Sequence, residues 1–383
     1  MDKRVLPAVY EILEHCKKEN FQSYDLFDAL DSPIAKFINN PLLNRIFLQL
    51  LSKAPFNARA LLGIKKTDNP KILSDILSTL CNLKKAGITQ DIINEKEIIE
   101  KLLKLKSKNS DYCSWGVPFK FVSRNGTIEK ETPNSITTYY ALSSLMDYYE
   151  MSKDEEILSF VYKNTGYFYD EAGYITSGKN LYFCYYKNNE RPIHNSNMLV
   201  SSLLGRIGKI KNDSNLMDLS YKGMSYSCSK QNDDGSWYYG ELPDLKWIDN
   251  FHTAYILEAL FNYKKGTGVT EFDSYFKKGY DYYITNFFTE SLIPKYYNNS
   301  LYPIDAQTIG ESLQLLSMAG GKEDRTGALI SGLIELAFND FYNKGHFYFR
   351  QNKGFKNKLS YLRWSTTPIL LAFSYYLSAG GNE

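Results

Sequence analysis

Trp247-Ile248-Asp249-Asn250-Phe251-His252-Thr253 runs straight into Ala254-Tyr255-Ile256-Leu257-Glu258-Ala259-Leu260. An aromatic, strand-like stretch meets a polar cluster, and an apolar helix opens from that cluster. The same succession recurs at Thr132-Pro133-Asn134, His194-Asn195-Ser196-Asn197, Asp305-Ala306-Gln307 and Arg363-Trp364-Ser365. With Asn134, Asn195, Asp249, Asp305 and Arg363 as markers, the steps are 61, 54, 56 and 58 residues. A repeat of that length is a supersecondary unit that cannot bury its apolar face alone and must stack on its neighbours.

The helices between the marked ones carry a different pattern. In 272–287, Phe272, Tyr275, Phe276, Gly279, Tyr280, Tyr283, Ile284 and Phe287 follow an amphipathic series, with Asp273, Lys277, Lys278 and Asp281 on the other face. Segments 154–164, 215–229 and 325–342 read similarly, whereas 196–209, 252–263 and 365–378 are apolar on most sides. Buried and half-exposed helices therefore alternate, as in an all-α, closed α/α toroid of about six hairpins. Aromatic runs at Tyr182-Phe183-Cys184-Tyr185-Tyr186 and Phe347-Tyr348-Phe349 predict short β-hairpins at one rim. Helices at 69–87 and 94–108 supply a further hairpin. The expected division is an N-terminal helical extension over 1–64, with helices near 5–18 and 34–53, and a toroid over 65–383. Parallel inner helices would gather their polar openings at one rim, around a common cavity.

Composition narrows the function classes. The formal charge is +2, and Lys and Arg are scattered rather than striped, which disfavours nucleic acid and anionic membrane as partners. The five cysteines are widely spaced and form no C-x-x-C pair, so reduced thiols and a cytoplasmic location are expected. No uninterrupted apolar run approaches the length of an integral membrane segment. There are only four histidines, and the Asp249/His252 pair lacks a nearby Cys or second His to complete tetrahedral ligation, so no metal site is expected; no Gly-rich phosphate loop or G-x-S-x-G elbow calls for a cofactor.

The chemistry is expected at the helix openings. Asp249 and His252 stand three apart at a helix start and share a face, where a carboxylate beside an imidazole makes a tuned general acid/base. Asp305, from the next unit, would be the second carboxylate of a glycosidic site. Asp and Asn are also good helix caps, but capping does not call for the His, Gln, Arg and Trp beside them. Asn134, His194, Asn195, Gln307 and Arg363 would orient substrate, Arg363 either by gripping an anion or by pairing with an inner Asp. Trp115, Trp237 and Trp364 would stack on sugar rings. Six helix N-termini at one rim would favour an anionic ligand.

Gln231-Asn232-Asp233-Asp234-Gly235-Ser236-Trp237 resembles the QW motif of squalene-cyclase and prenyltransferase-like toroids, where it ties one helix end to the next; Asp234 is a candidate site residue within it. More of the chain, from about 110 onward, resembles a bacterial α/α-toroid family found with surface-polysaccharide biosynthesis genes. That resemblance rests on Cys113-Ser114-Trp115-Gly116-Val117-Pro118-Phe119, Pro133-Asn134-Ser135, the His194, Asp249 and Asp305 clusters, and Leu362-Arg363-Trp364. It implies a fold and a setting. The expected activity is acid/base chemistry on an acidic or amino-sugar glycan by hydrolysis, elimination or epimerisation, with an oligosaccharide or sugar-containing, anionic substrate. Two alternatives are a terpenoid cyclase or prenyl-transfer enzyme, which needs a hydrocarbon-lined pocket, and a non-catalytic glycan-binding protein.

Overall fold

A computed structural model describes residues 1–38, 40–123, 126–320 and 324–380. Among them are thirteen α-helices: α1 Val5–Lys18, α2 Pro41–Lys53, α3 Pro70–Lys85, α4 Glu95–Lys104, α5 Ser135–Ser152, α6 Glu155–Asn164, α7 His194–Lys211, α8 Ser214–Cys228, α9 Asn250–Thr267, α10 Asp273–Asn286, α11 Ala306–Ala319, α12 Asp324–Leu336 and α13 Thr367–Gly380.

The inner helices α3, α5, α7, α9, α11 and α13 each pack on the next, and α13 returns to α3, so the ring is closed. Outer helices α4, α6, α8, α10 and α12 cover α3, α5, α7, α9 and α11. The protein is thus the expected all-α, closed α/α toroid. Inner helices are buried on nearly every side because each has two ring neighbours and an outer partner. Their contact is close enough that small residues are required: a Cβ on Gly310 of α11 would stand 2.8 Å from the backbone of Pro368 in α13.

The sixth outer position is filled from the far end of the chain. The apolar stripe of α1 (Val5, Ala8, Val9, Ile12, Leu13, Cys16) is wholly buried, and α1 packs on α13. The amide of Asp2 donates to the Tyr376 hydroxyl at 2.8 Å. The expected boundary at 64/65 therefore cuts off the twelfth helix of the ring. Each Val or Leu so buried contributes roughly 1.5–3 kcal/mol, which periodicity reveals without saying which helix receives it.

Among the described residues four small antiparallel sheets decorate the ring. Strands Tyr174–Ser177 and Asn180–Phe183 form one of the expected hairpins, and Arg350–Gln351 with Lys356–Asn357 turn through Asn352-Lys353-Gly354-Phe355. Two details depart from expectation. The helix expected over 325–342 ends at Leu336 and passes into a wide turn, Ala337–Phe341; Arg363-Trp364-Ser365 likewise lies in a wide turn, Leu362–Thr366, ahead of α13.

Candidate active site

Four inner helices are fastened to the rim by one recurring bond. The first N–H of α5, α7, α9 and α11, in Ser135, His194, Asn250 and Ala306, donates to the backbone carbonyl of Tyr185, Tyr239, Tyr296 and Phe349 at 2.7, 3.1, 2.9 and 3.0 Å. These are donors with no partner inside their own helix. Helix α3 begins with Pro70, which has no N–H to give. Each acceptor is aromatic and comes from the following unit, so each of these four polar openings sits against the next unit's aromatic stretch.

Asp249 caps α9 and has both oxygens engaged. Its Oδ1 accepts the His252 amide at 2.9 Å; Oδ2 accepts the Trp247 indole N–H at 2.9 Å and lies 2.7 Å from His252 Nδ1. An ionised carboxylate only accepts, so Nδ1 carries the proton and Nε2 is the basic nitrogen. The Tyr239 ring stacks on Trp247 (4.5 Å, 15°) and leans on the imidazole (4.5 Å, 55°), with Phe251 at 4.2 Å. The His252 side chain keeps 22% exposure, and Nε2 has no hydrogen-bond partner among the described residues. Asn195, nine-tenths buried, lines the same crevice and leaves its Oδ1 without a partner among those residues.

Asp305 repeats the arrangement one unit on. Its Oδ1 caps α11 by accepting the Thr308 amide at 2.9 Å, and Oδ2 accepts Arg350 Nη2 at 3.1 Å. Arg350 lies over the Phe349 ring, and its buried Nε has no partner among the described residues. Tyr296 feels both aspartates: burial pushes its hydroxyl up, Asp305 adds to this, Arg350 opposes it and Asp249 adds again. Asp249 and Asp305 therefore belong to one sector of the rim.

A second polar layer lies one turn deeper. The Tyr255 hydroxyl donates to Glu311 Oε1 at 2.8 Å and accepts from Gln307 Nε2 at 2.9 Å. Beyond it, Gln314 donates to Glu258 at 2.9 Å, while Lys71 pairs with Asp75 at 2.6 Å and lies 3.9 Å over the Tyr140 ring. Burial pushes the Glu311 carboxyl up to about 7, with the Lys71 ammonium opposing. Burial, then repulsion from Glu311, holds Glu258 well above the usual carboxylate range. Sequence reading passed over Glu258 and Glu311. The signal was a single Glu in a helix with no other acidic residue and no wet face at that position for the charge to occupy.

The remaining candidates fall elsewhere. His194 is consumed by Ser227 Oγ (3.0 Å) and Glu241 (2.9 Å) and is buried. Asn134 caps α5 through the Thr137 amide. Trp115 and Trp237 present no accessible ring face for a sugar: both are core residues whose indole N–H groups donate to Leu102 and Ser227 carbonyls at 2.8 Å. Asp234 is an exposed turn residue accepting from Ser236, and Gln231 bonds the carbonyls of Gly235 and Tyr275. That string ties the end of α8 to α10. Arg363 pairs with Asp25 at 3.0 Å, and Trp364 donates to the same carboxylate at 3.1 Å. The inner-Asp partner expected as one option for Arg363 thus comes from the N-terminal segment. The half-exposed aromatics of the mouth are instead Tyr185, Tyr239, Trp247, Phe251 and Tyr296. A separate cavity of about 380 Å³ opens near Pro133, with Lys108, Glu131 and Lys187 among its walls.

Among the described residues no group of three or more His, Cys, Asp or Glu is placed to hold a metal ion.

The closed ring of helical hairpins with its worked rim defines the α/α-toroid class. A cellobiose 2-epimerase from Bacillus thermoamylovorans superimposes with TM-score 0.65 at 8% identity, over 81% of this chain and 87% of that one. An unsaturated glucuronyl hydrolase specific for heparin gives 0.56 at 12% identity (82% and 87%), and a family 88 glycosyl hydrolase from Bacteroides vulgatus gives 0.58 at 9% (82% and 92%). At these identities the likeness concerns the fold. No protein-family model and no curated protein sequence matches the chain.

Proposed function

We propose that this protein is a carbohydrate-active enzyme that moves a proton to and from a sugar carbon, with His252 as the base, Asp249 as its orienting carboxylate, and the rim aromatics as the sugar platform. The observation that carries this reading is the His252–Asp249 pair: a half-buried imidazole, fixed through Nδ1, with Nε2 unengaged at the mouth of the ring. A carboxylate-oriented imidazole is a general base of the kind acid/base catalysis uses. Several toroids of this shape are named for sugar epimerisation or for hydrolysis of sugars, which supports a sugar substrate here.

Within the three reaction types the sequence leaves open, the geometry favours epimerisation or elimination. Hydrolysis of a glycosidic bond uses two carboxyl groups, one giving a proton and the other attacking or activating water. Asp249 and Asp305 both have their oxygens committed to a helix cap and a cation, imidazole or indole donor. Glu311, reached from the mouth through the Tyr255 hydroxyl, is the second proton carrier in this reading. The acidic or amino-sugar substrate of a surface polysaccharide stays part of the proposal. Arg350, whose side chain keeps 24% exposure while Nη2 holds Asp305, is the group to grip a sugar carboxylate, since Arg363 is taken by Asp25.

The test is incubation with a panel of neutral, amino and uronic sugars in deuterated water, read by mass spectrometry and NMR. Epimerisation predicts one deuterium per product at the inverted carbon, and elimination predicts a new unsaturated uronate. Both signals should vanish in His252→Ala with helical circular dichroism retained. Turnover by His252→Ala at the wild-type rate would refute the assignment.

A further inference from the structure

Helix α2 is apolar on two opposite faces and packs on only one. Leu48 and Leu51 are buried against Ala29 and Ile64. Leu42, Leu43, Ile46 and Leu50 lie on the other side at helical spacing, and Leu42, Leu43 and Leu50 are 60%, 53% and 68% exposed. The flanking chain adds Ile34, Phe37, Phe56 and Leu61, all at least half exposed. Such a collection of large apolar side chains in water marks an interaction surface.

The segment is firmly placed, so the exposed face is not a sign of a missing fold. The buried Arg59 guanidinium bonds the Asp28 carboxylate at 2.8 Å and the Tyr361 hydroxyl at 2.9 Å, and Asn357 donates to the Ala54 carbonyl at 3.2 Å.

Charge identifies what covers the face. Between Asp31 and Asp68 the chain has six basic residues and no acidic one. Arg59 is consumed internally and Lys66 pairs with Glu19, while Arg45, Lys53 and Lys65 have no acidic partner among the described residues. The whole-chain charge of +2 conceals this local excess. A second copy fits poorly, because a two-fold contact would set this basic segment against itself. Exposed Leu, Ile and Phe interleaved with Lys and Arg match the headgroup boundary of an anionic bilayer, where apolar side chains enter the acyl region and cations meet lipid phosphates. Thirteen residues span only about 20 Å, short of a bilayer core. No helix among the described residues is long and apolar enough to cross a membrane. We propose that α2 and its flanks dock the protein on an anionic lipid surface, with the helix lying in the plane of the headgroups.

The experiment is vesicle flotation of the full chain with phosphatidylcholine alone and with added phosphatidylglycerol. Wild type should float with the anionic vesicles and release as salt is raised. Leu42→Glu/Leu43→Glu/Leu50→Glu should lower partitioning at least tenfold with unchanged circular dichroism. Arg45→Gln/Lys53→Gln, which leaves the apolar face intact, should lower it by about fivefold per cation removed. Wild type remaining unbound to anionic vesicles would overturn the proposal. So would equal flotation of all three proteins, or light scattering that shows a dimer which the triple variant makes monomeric.

Discussion

Asp249→Asn isolates the contact on which the site depends. Asn is as good a helix cap as Asp, so its Oδ1 keeps the His252 amide and α9 starts unchanged. What disappears is the second acceptor. The Trp247 indole N–H and the His252 Nδ1–H share Oδ2 in the wild type, and an amide nitrogen accepts neither. A hydrogen bond to a charged group is worth about 1.5–3 kcal/mol, and if that orientation is lost in the transition state, turnover should fall about tenfold to a hundredfold. The effect can also be read without a substrate. With Oδ2 in place the imidazole proton sits on Nδ1; with an amide NH₂ facing the ring, Nδ1 becomes the acceptor and the proton moves to Nε2. Nitrogen-15 NMR of the imidazole distinguishes the tautomers directly. An Nδ1–H imidazole in Asp249→Asn, with turnover within twofold of wild type, would show that the carboxylate does not orient the base.

Three further perturbations test the frame around the site. Gly235 has φ +95° and a Cβ there would stand 2.4 Å from the Lys278 carbonyl; Gly235→Ala should destabilise the α8–α10 tie by about 2 kcal/mol or more, and an unchanged urea midpoint would contradict the geometry. Arg59→Met strands the buried Asp28 carboxylate, so a loss of about 3–5 kcal/mol is expected in denaturant unfolding; a loss below about 1 kcal/mol would mean that water reaches the site. Burial raises Glu311 from 4.5 to about 7, so the folded state holds a proton that the unfolded chain has released across that interval. Its stabilising effect is complete below pH 4.5 and is lost as pH rises through about 7. Glu311→Gln should flatten the decline in melting temperature between those limits, and an unaltered slope would count against this carboxyl.

The ring was legible because its evidence is repetitive. Inner segments such as 196–209, 252–263 and 365–378 are apolar on most sides for the same reason, and five openings at similar steps expose a period that chance does not produce. The shared face of Asp249 and His252 was legible because a spacing of three at a helix start fixes it whatever the rest of the fold does. The pairing of α1 with α13 was not, since an amphipathic stripe says that a partner exists and chain order names the wrong one. Trp115 and Trp237 show the same limit in side-chain terms. An indole near a polar cluster suits either a sugar or a helix-end carbonyl, and only the position of Leu102 and Ser227 decides between them. Arg350 and Tyr296 escaped notice because they enter from strand-like connections with no period of their own, brought to Asp305 and Asp249 by the bonds that lock each helix to the following unit. Those bonds order the site: Asp305 meets Arg350 and Phe251 meets Tyr296 of the next repeat, while Asp249 and His252 keep Trp247 and Tyr239 of their own. A sugar held at the mouth would lie across a joint between units, and a substitution at Tyr296 would disturb Phe251, which packs on the His252 ring in the preceding repeat.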